Sequence, residues 1–140
     1  MRIIFDTNIF IDILLQQEPF YEKSFLVIRS CQEKKVEGFL PASSLTDIFY
    51  IVAKRTHNKQ IARQAIDSTL KLVDICPVTK ANVVSAHMKN ARDFEDALVA
   101  ACGESIHADA IITRNKKDFE EFAIPSLSPD ELLELLAKQA

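Results

Sequence analysis

Short apolar runs alternate with longer amphipathic segments along the chain. Residues 2–5 and 110–113 are brief and rich in isoleucine, which is typical of strands buried within a sheet. Residues 37–42 and 73–78 are weaker strand candidates because each carries a proline near its end. Residues 123–127 suit a short edge strand. The pattern predicts a central sheet of four to five strands.

Between these runs, apolar residues recur at helical intervals. Residues 45–55 repeat them at the i, i+3, i+4, i+7 spacing of a core-facing helix, and in residues 21–35 the side chains of Phe25, Ile28 and Cys31 share one face. Further helices are predicted over 9–15, 58–72, 80–90, 94–106 and 129–139. Strands separated by helices favour a mostly parallel sheet covered on both faces. We therefore predict an α/β fold with three α/β/α layers, forming one domain over residues 1–140.

Composition narrows the class of protein. With 140 residues, 48% of them hydrophobic, the chain is large enough for one domain with a core. The net charge of −3 indicates neither a nucleic acid nor a membrane partner, and no apolar run approaches the ~20 residues that cross a bilayer. The three cysteines and three histidines are scattered, which favours reduced thiols over a zinc site. The N-terminus does not have the pattern of a secretion signal, so we expect a cytoplasmic protein.

Four aspartates occur where a strand or loop is followed by a helix, and these are Asp6, Asp47, Asp96 and Asp118. Three of them lie three positions after a residue that can cap a helix, in the pairs Ser44 and Asp47, Asp93 and Asp96, and Asn115 and Asp118. Capping explains each acid separately, with a gain of ~0.3–1 kcal/mol from the helix dipole. It does not predict that the acids meet.

A shared position in the sheet would bring these acids together. In a parallel sheet, the carboxyl ends of the strands and the helix N-termini that follow them gather at one edge, where ligands bind. Asp6 and residues 113–118 both follow isoleucine-rich strands, so they would face each other if those strands are neighbours. Converging carboxylates repel one another unless a hard cation compensates them, and oxygen ligands suit Mg²⁺ or Mn²⁺. This pattern favours metal-assisted hydrolysis of a phosphodiester.

Four segments resemble a known family, and they are IIFDTNIFIDIL at 3–14, SSLTDIFYI at 43–51, DFEDALVAACGE at 93–104 and ADAIITRNKKDF at 108–119. With them the chain resembles PIN-domain ribonucleases, and among those the VapC toxins of VapBC-type toxin–antitoxin pairs. The resemblance implies an α/β/α fold, an acidic Mg²⁺ or Mn²⁺ site and cleavage of RNA. It also implies an antitoxin partner and a homodimer.

The resemblance assigns metal binding and catalysis to Asp6, Asp47, Asp96 and Asp118. Relatives more often carry Glu at position 47, and some carry Asp at position 115, so the chain departs from the family pattern at both places. Auxiliary contacts to the metal, the acids or the phosphate fall on Thr7, Asn8, Asp93, Thr113 and Asn115. The two departures leave a second interpretation open, a catalytically weak or inactive PIN scaffold that acts as an RNA or protein interaction module.

Basic and apolar residues near the predicted site suggest partners. Arg114, Lys116 and Lys117 flank the fourth acid and are candidates for RNA contacts. A second basic cluster, within residues 54–63, is a weaker candidate for RNA contacts, because such clusters are more typical of a solvated helix end. The dense apolar residues between 9 and 25 suit a core, with a homodimer face or a groove for an antitoxin helix as open alternatives.

Other classes of acidic or nucleotide-binding protein fit less well. A phosphorylated receiver domain needs an aspartate at the end of a strong central strand, but residues 38–44 end in Pro-Ala-Ser-Ser. A phosphotransferase with a nucleophilic aspartate would usually have Asp-x-Asp, and residues 6–8 lack the second acid. Dinucleotide binding requires a glycine-rich turn, and the chain has two glycines in all.

Overall fold

The centre of the molecule is a five-stranded sheet in which every neighbouring pair is parallel. A computed structural model of the chain describes residues 1–139, so position 140, the last of the predicted domain, lies outside it. The strands follow the order β3-β2-β1-β4-β5, and their bounds are β1 (Arg2–Phe5), β2 (Glu37–Pro41), β3 (Asp74–Cys76), β4 (Ala110–Ile112) and β5 (Ser126–Leu127). The predicted parallel sheet is confirmed.

Helices cover both faces of this sheet. Within residues 1–139 they are α1 (Thr7–Leu14), α2 (Tyr21–Gln32), α3 (Ala42–Thr56), α4 (Lys59–Leu72), α5 (Lys80–Met88), α6 (Phe94–Ser105) and α7 (Pro129–Gln139). Successive side chains of a strand point to opposite faces. Accordingly, Ile3 and Phe5 pack in one core with α1–α4 and α7, while Ile4 packs in a second core with α5 and α6. The predicted α/β/α layers are therefore confirmed. None of these helices is long and apolar enough to span a membrane.

Helix α2 differs from its prediction in length and in facing. It ends at Gln32 rather than at residue 35, and Lys34 just beyond it adopts a left-handed backbone, with φ of 61°. Its buried side chains are those of Ser24, Val27, Ile28 and Ser30, whereas Phe25 is 44% exposed. The ring of Phe25 stacks on Tyr21, with 6.0 Å between centroids, so it pairs along the helix surface instead of entering the core.

The pairing of β1 with β4 fixes the edge where the strands end. Phe5 lies in register with Ile112, and the backbone N–H of Asp6 donates to the Ile112 carbonyl at 3.0 Å. The residues that follow the two strands, Asp6 and Thr113, are therefore neighbours. Helix α3 begins directly after β2, the strand on the other side of β1, so its first turns reach the same edge.

A candidate active site at the carboxyl edge of the sheet

A cleft of about 390 Å³ opens at this edge and is lined mainly by acids. We call it the acidic cleft, and its lining residues are Asp6, Thr7, Asn8, Asp47, Tyr50, Ile51, Asp93, Glu95, Asp96 and Asp118. All four aspartates predicted as metal ligands line it. So do three of the predicted auxiliary residues, whereas Thr113 and Asn115 are not among the lining residues. Six carboxylates from four separate segments of the chain therefore share one cavity.

Asp6 is the most deeply placed of these acids, with 8% of its surface exposed. The buried hydroxyl of Thr113 donates a hydrogen bond to Asp6 Oδ2 at 2.9 Å and accepts one from the Asn115 N–H at 3.0 Å. Burial raises the pKa of the Asp6 carboxyl, and the Thr113 hydroxyl, the Asn8 N–H and the charge of Arg114 offset only part of the rise. Asp6 precedes α1 but forms no capping hydrogen bond of regular geometry.

Asp47 enters the cleft from the second turn of α3, and it does not belong to a capping pair. If Ser44 were the N-cap, the helix would begin at residue 45. It begins three residues earlier, at Ala42, and no side chain caps its N-terminus. Ser44 is buried inside the helix, where its hydroxyl accepts a hydrogen bond from the Thr7 hydroxyl at 2.9 Å. This bond ties the start of α3 to the start of α1, which places Asp47 beside Asp6 and Asn8.

Asp93 and Asp96 have different roles. The Asp93 carboxylate accepts a hydrogen bond from the Asp96 N–H at 2.9 Å and caps α6, as the capping interpretation predicts. The Asp96 side chain does not cap the helix. The pKa of its carboxyl is raised to about 7, first by burial and then by the charges of Asp93, Asp6 and Asp118.

Asp118 lies in a short 3₁₀ helix, Lys116–Phe119, that follows β4. Its backbone N–H donates to the Asn115 carbonyl at 3.0 Å, and Asn115 provides no side-chain cap. The charge of the exposed Asp118 contributes to the raised pKa of both Asp6 and Asp96. Capping therefore accounts for one of the three predicted pairs, and the other acids face the cleft without it.

Sequence reasoning missed three residues that line this cleft, Glu95, Tyr50 and Ile51. The pKa of Glu95 is raised to about 7, first by loss of hydration and then by the charge of Asp47 and a hydrogen bond to it. Glu95 directly precedes Asp96 in the first turn of α6, so its helix position was a signal that could have identified it. Tyr50, which is 71% exposed, lies one turn after Asp47 on α3.

The predicted RNA-contact residues have partners of their own. Arg114 donates to Asp12, from Nε to Oδ2 at 2.9 Å, and its guanidinium lies 4.2 Å from the centre of the Phe20 ring. Lys116 pairs with Glu131 on α7 at 2.8 Å. Lys117 is exposed and forms no ion pair among the described residues.

The donor set of the acidic cleft suits a hard divalent cation. Its ligating atoms are carboxylate, hydroxyl and amide oxygens, with no thiol or imidazole among the lining residues. Burial first, and then repulsion by the neighbouring carboxylates, raises the pKa of Asp96 and of Glu95, and a cation would relieve the repulsion. Within residues 1–139, no three His, Cys, Asp or Glu side chains are grouped tightly enough to hold a metal ion. Ligation therefore requires the side chains to move inward from the cleft walls.

The same fold occurs in solved toxin–antitoxin proteins. One match is a chain of VapBC2 from Rickettsia felis, in a structure bound to a DNA fragment from the VapBC2 promoter. The TM-score is 0.70 and the identity 16%, over 91% of this chain and 98% of that one. DNA-bound VapBC from Salmonella typhimurium matches with a TM-score of 0.72 and 12% identity, over 92% of this chain and 98% of that one. VapC20 from Mycobacterium tuberculosis is a toxin that cleaves the sarcin–ricin loop. It matches with a TM-score of 0.62 and 16% identity, over 78% of this chain and 86% of that one. At these identities the likeness establishes the fold.

The sequence itself identifies the family. A search of curated proteins found no match. Residues 2–117 match the PIN domain family, from the first residue of β1 to the residue before Asp118. The resemblance predicted from the four sequence segments is thereby confirmed. The chain belongs to the PIN domain family.

Proposed function

We propose that this protein is an endoribonuclease that hydrolyses RNA phosphodiester bonds with Mg²⁺ or Mn²⁺, and that it is the toxin of a toxin–antitoxin pair. The observation that carries the proposal is the meeting of six carboxylates in one cleft of a PIN-domain chain. Helix capping explains only Asp93 among them. A concentration of negative charge that has no structural use is typical of a site that binds a cation.

Four aspartates are the proposed ligands, namely Asp6, Asp47, Asp96 and Asp118, with Glu95 as a further carboxylate beside Asp47. The cation would supply positive charge to the scissile phosphate and lower the pKa of a water molecule. Thr113 holds the Asp6 carboxylate by its hydroxyl, and Asp93 fixes the first turn of α6, from which Asp96 projects. These contacts hold Asp6 and the first turn of α6 in place, and the other carboxylates would complete the site by moving inward.

The surroundings of the acidic cleft suit a single RNA strand. Tyr50 presents an exposed ring at the cleft wall, and unstacked RNA bases commonly stack on such rings. Lys117 offers an exposed positive charge next to Asp118, and Lys116 offers another that is shared with Glu131. A folded duplex does not present its bases in this way.

An antitoxin and a second copy are the protein partners we propose. The solved structures of the same fold include VapBC proteins, which supports an antitoxin partner for this chain. We expect this partner to suppress cleavage. Co-expression with a small DNA-binding protein encoded next to this chain should abolish RNA cleavage, measured on purified complex. Sedimentation velocity tests the homodimer.

Cleavage of single-stranded RNA by the purified chain tests the proposed activity. We expect cleavage that requires Mg²⁺ or Mn²⁺, that stops with a chelator, and that falls at least about a hundredfold in Asp6→Asn, since even residues behind the ligands cost 10- to 100-fold. Asp67→Asn changes the same group on the exposed face of α4 and should leave the rate unchanged. Metal-independent cleavage, or full activity of Asp6→Asn, contradicts the proposal. Binding of RNA without any cleavage favours the interaction-module alternative.

A further inference from the structure

A second concavity, of about 490 Å³, adjoins the acidic cleft. Every ionisable side chain that lines it within residues 1–139 is basic, and these are Lys54, Arg55, His57 and Arg114. We call it the basic pocket. The charge of its lining is therefore opposite to that of the neighbouring cleft, and the pocket suits an anion where the cleft suits a cation.

The two cavities share a wall made by Asn8 and Ile51. Helix α3 connects them, because Asp47 and Ile51 line the acidic cleft while Ile51 and Lys54 line the basic pocket. These positions follow the i, i+4, i+7 spacing of one helix face, and seven residues of α-helix rise about 10 Å. A single extended strand that enters one cavity can therefore reach the other.

A buried carboxylate holds part of the basic wall in place. Asp12, which is fully buried in α1, accepts hydrogen bonds from Arg114 Nε at 2.9 Å and Nη2 at 3.3 Å. The Gln17 amide, with its nitrogen toward Asp12 and its oxygen toward Arg55, connects the second guanidinium to the same carboxylate. Two arginines are thus pre-ordered on the pocket wall, which lowers the entropy cost of binding an anion.

From this arrangement we infer that the basic pocket binds a backbone phosphate of the RNA strand whose scissile phosphate lies in the acidic cleft. The inference rests on the proposed function. Phosphate oxygens match both the fork of an arginine and the point charge of a lysine. Asp12 neutralises much of the charge of Arg114, so Lys54 and Arg55 supply most of the uncompensated positive charge. The phosphate would set the position of the strand relative to the acids.

The test compares two double variants with equal changes of charge. Lys54→Ala with Arg55→Ala removes charge from the basic pocket, whereas Lys59→Ala with Arg63→Ala removes it from exposed residues of α4 outside the pocket. Fluorescence anisotropy measures binding of a single-stranded RNA of about 12 nucleotides over a range of salt concentrations without divalent cations. Each phosphate contact contributes about 0.7 to the slope of log affinity against log salt, so the pocket variant, which loses one phosphate contact, should lose about 0.7 and the control should keep the native slope.

Two further measurements keep the inference falsifiable. Lys54→Ala alone, which leaves the Gln17 and Arg55 contact intact, should lose only part of that ~0.7, because Arg55 still contacts the phosphate. In metal-dependent cleavage, the pocket variant should raise KM about tenfold with little change in kcat, because it loses binding and not chemistry. A native salt slope in both pocket variants, or equal losses in the pocket and control variants, overturns the inference while cleavage by the native chain stands. Loss of slope in a chain that cleaves no RNA supports the pocket and contradicts the proposed function instead.

Discussion

Two aspartates of the first helical segment, Asp6 and Asp12, show how the partner of a buried charge decides its use. Both are buried, with 8% and 0% of their surface exposed, and burial raises the pKa of both carboxyls. Asp12 faces the Arg114 guanidinium in a two-point ion pair. Asp6 has a neutral hydroxyl, that of Thr113, as its side-chain partner, and the charge of Arg114, which lowers its pKa without forming an ion pair, is opposed by that of Asp118.

The difference separates a structural acid from a functional one. A paired carboxylate such as Asp12 has its compensating charge within the protein, and removing it leaves a cation behind. Asp6 has no compensating charge of this kind and lies among five other carboxylates of the acidic cleft. We therefore expect Asp12 to matter for folding and Asp6 to matter for binding a cation. The following predictions test that division.

Asp12→Ala should be the most destabilising change. It leaves Arg114, whose side chain is 27% exposed, without its partner, and broken buried ion pairs cost 3–5 kcal/mol. Because Arg114 retains some solvent, we expect a loss of about 3 kcal/mol in the free energy of unfolding. Asp6→Asn keeps an oxygen for the Thr113 hydroxyl and should change stability by less than about 1 kcal/mol. Urea denaturation without metal measures both, and equal losses would contradict the division.

Glu95→Gln should weaken Mn²⁺ binding about tenfold, because it removes a carboxylate from the wall beside Asp47. Since these two acids interact directly, the double variant with Asp47→Asn should lose less than the product of the single effects. Glu134→Gln, on the exposed face of α7, is the control. Calorimetric titration measures the affinities. If Glu95→Gln binds Mn²⁺ with native affinity, Glu95 is not a ligand and only the aspartates bind the cation.

The metal-free protein should become less stable as the pH rises from about 4 to about 7. The pKa values of Asp96 and Glu95 are raised from 3.8 and 4.5 to about 7, so the folded state holds protons in this window that the unfolded state has released. Stability therefore falls with rising pH. Thermal midpoints in a chelator should show this decline, and Asp96→Asn should reduce it. A midpoint that rises more steeply in the native chain than in Asp96→Asn would contradict the raised pKa values.

The fold was accessible from sequence because its elements have strong local signals. The isoleucine runs at 2–5 and 110–113 correspond to neighbouring strands, and the helix over 129–139 has the predicted bounds. Hydrophobic periodicity encodes these features within a few residues. Phe25 was misassigned to the face of Ile28 because an apolar side chain can also lie on the surface when it stacks on a neighbour.

Contacts between side chains that are distant in the sequence were harder to predict than the strands and helices. The position of Asp6 beside Thr113 followed from strand order, but the ion pair of Asp12 with Arg114 spans 102 residues and has no sequence pattern. The sequence alone therefore predicts Arg114 as a free cation for RNA, whereas its guanidinium is held by Asp12 and stacked on Phe20. Glu95 was missed because the capping pattern identifies Asp93 and Asp96 and does not include Glu95.

Calorimetric titration of Mn²⁺ into the native chain, Asp6→Asn and Asp67→Asn tests the central claim most directly. The titration is run at about pH 8, where Asp96 and Glu95 are mostly ionised because each has a pKa of about 7. We predict saturable binding to the native chain and to Asp67→Asn, with affinity at least about a hundredfold lower in Asp6→Asn. Equal affinity in all three proteins, or no binding to the native chain, would contradict the account.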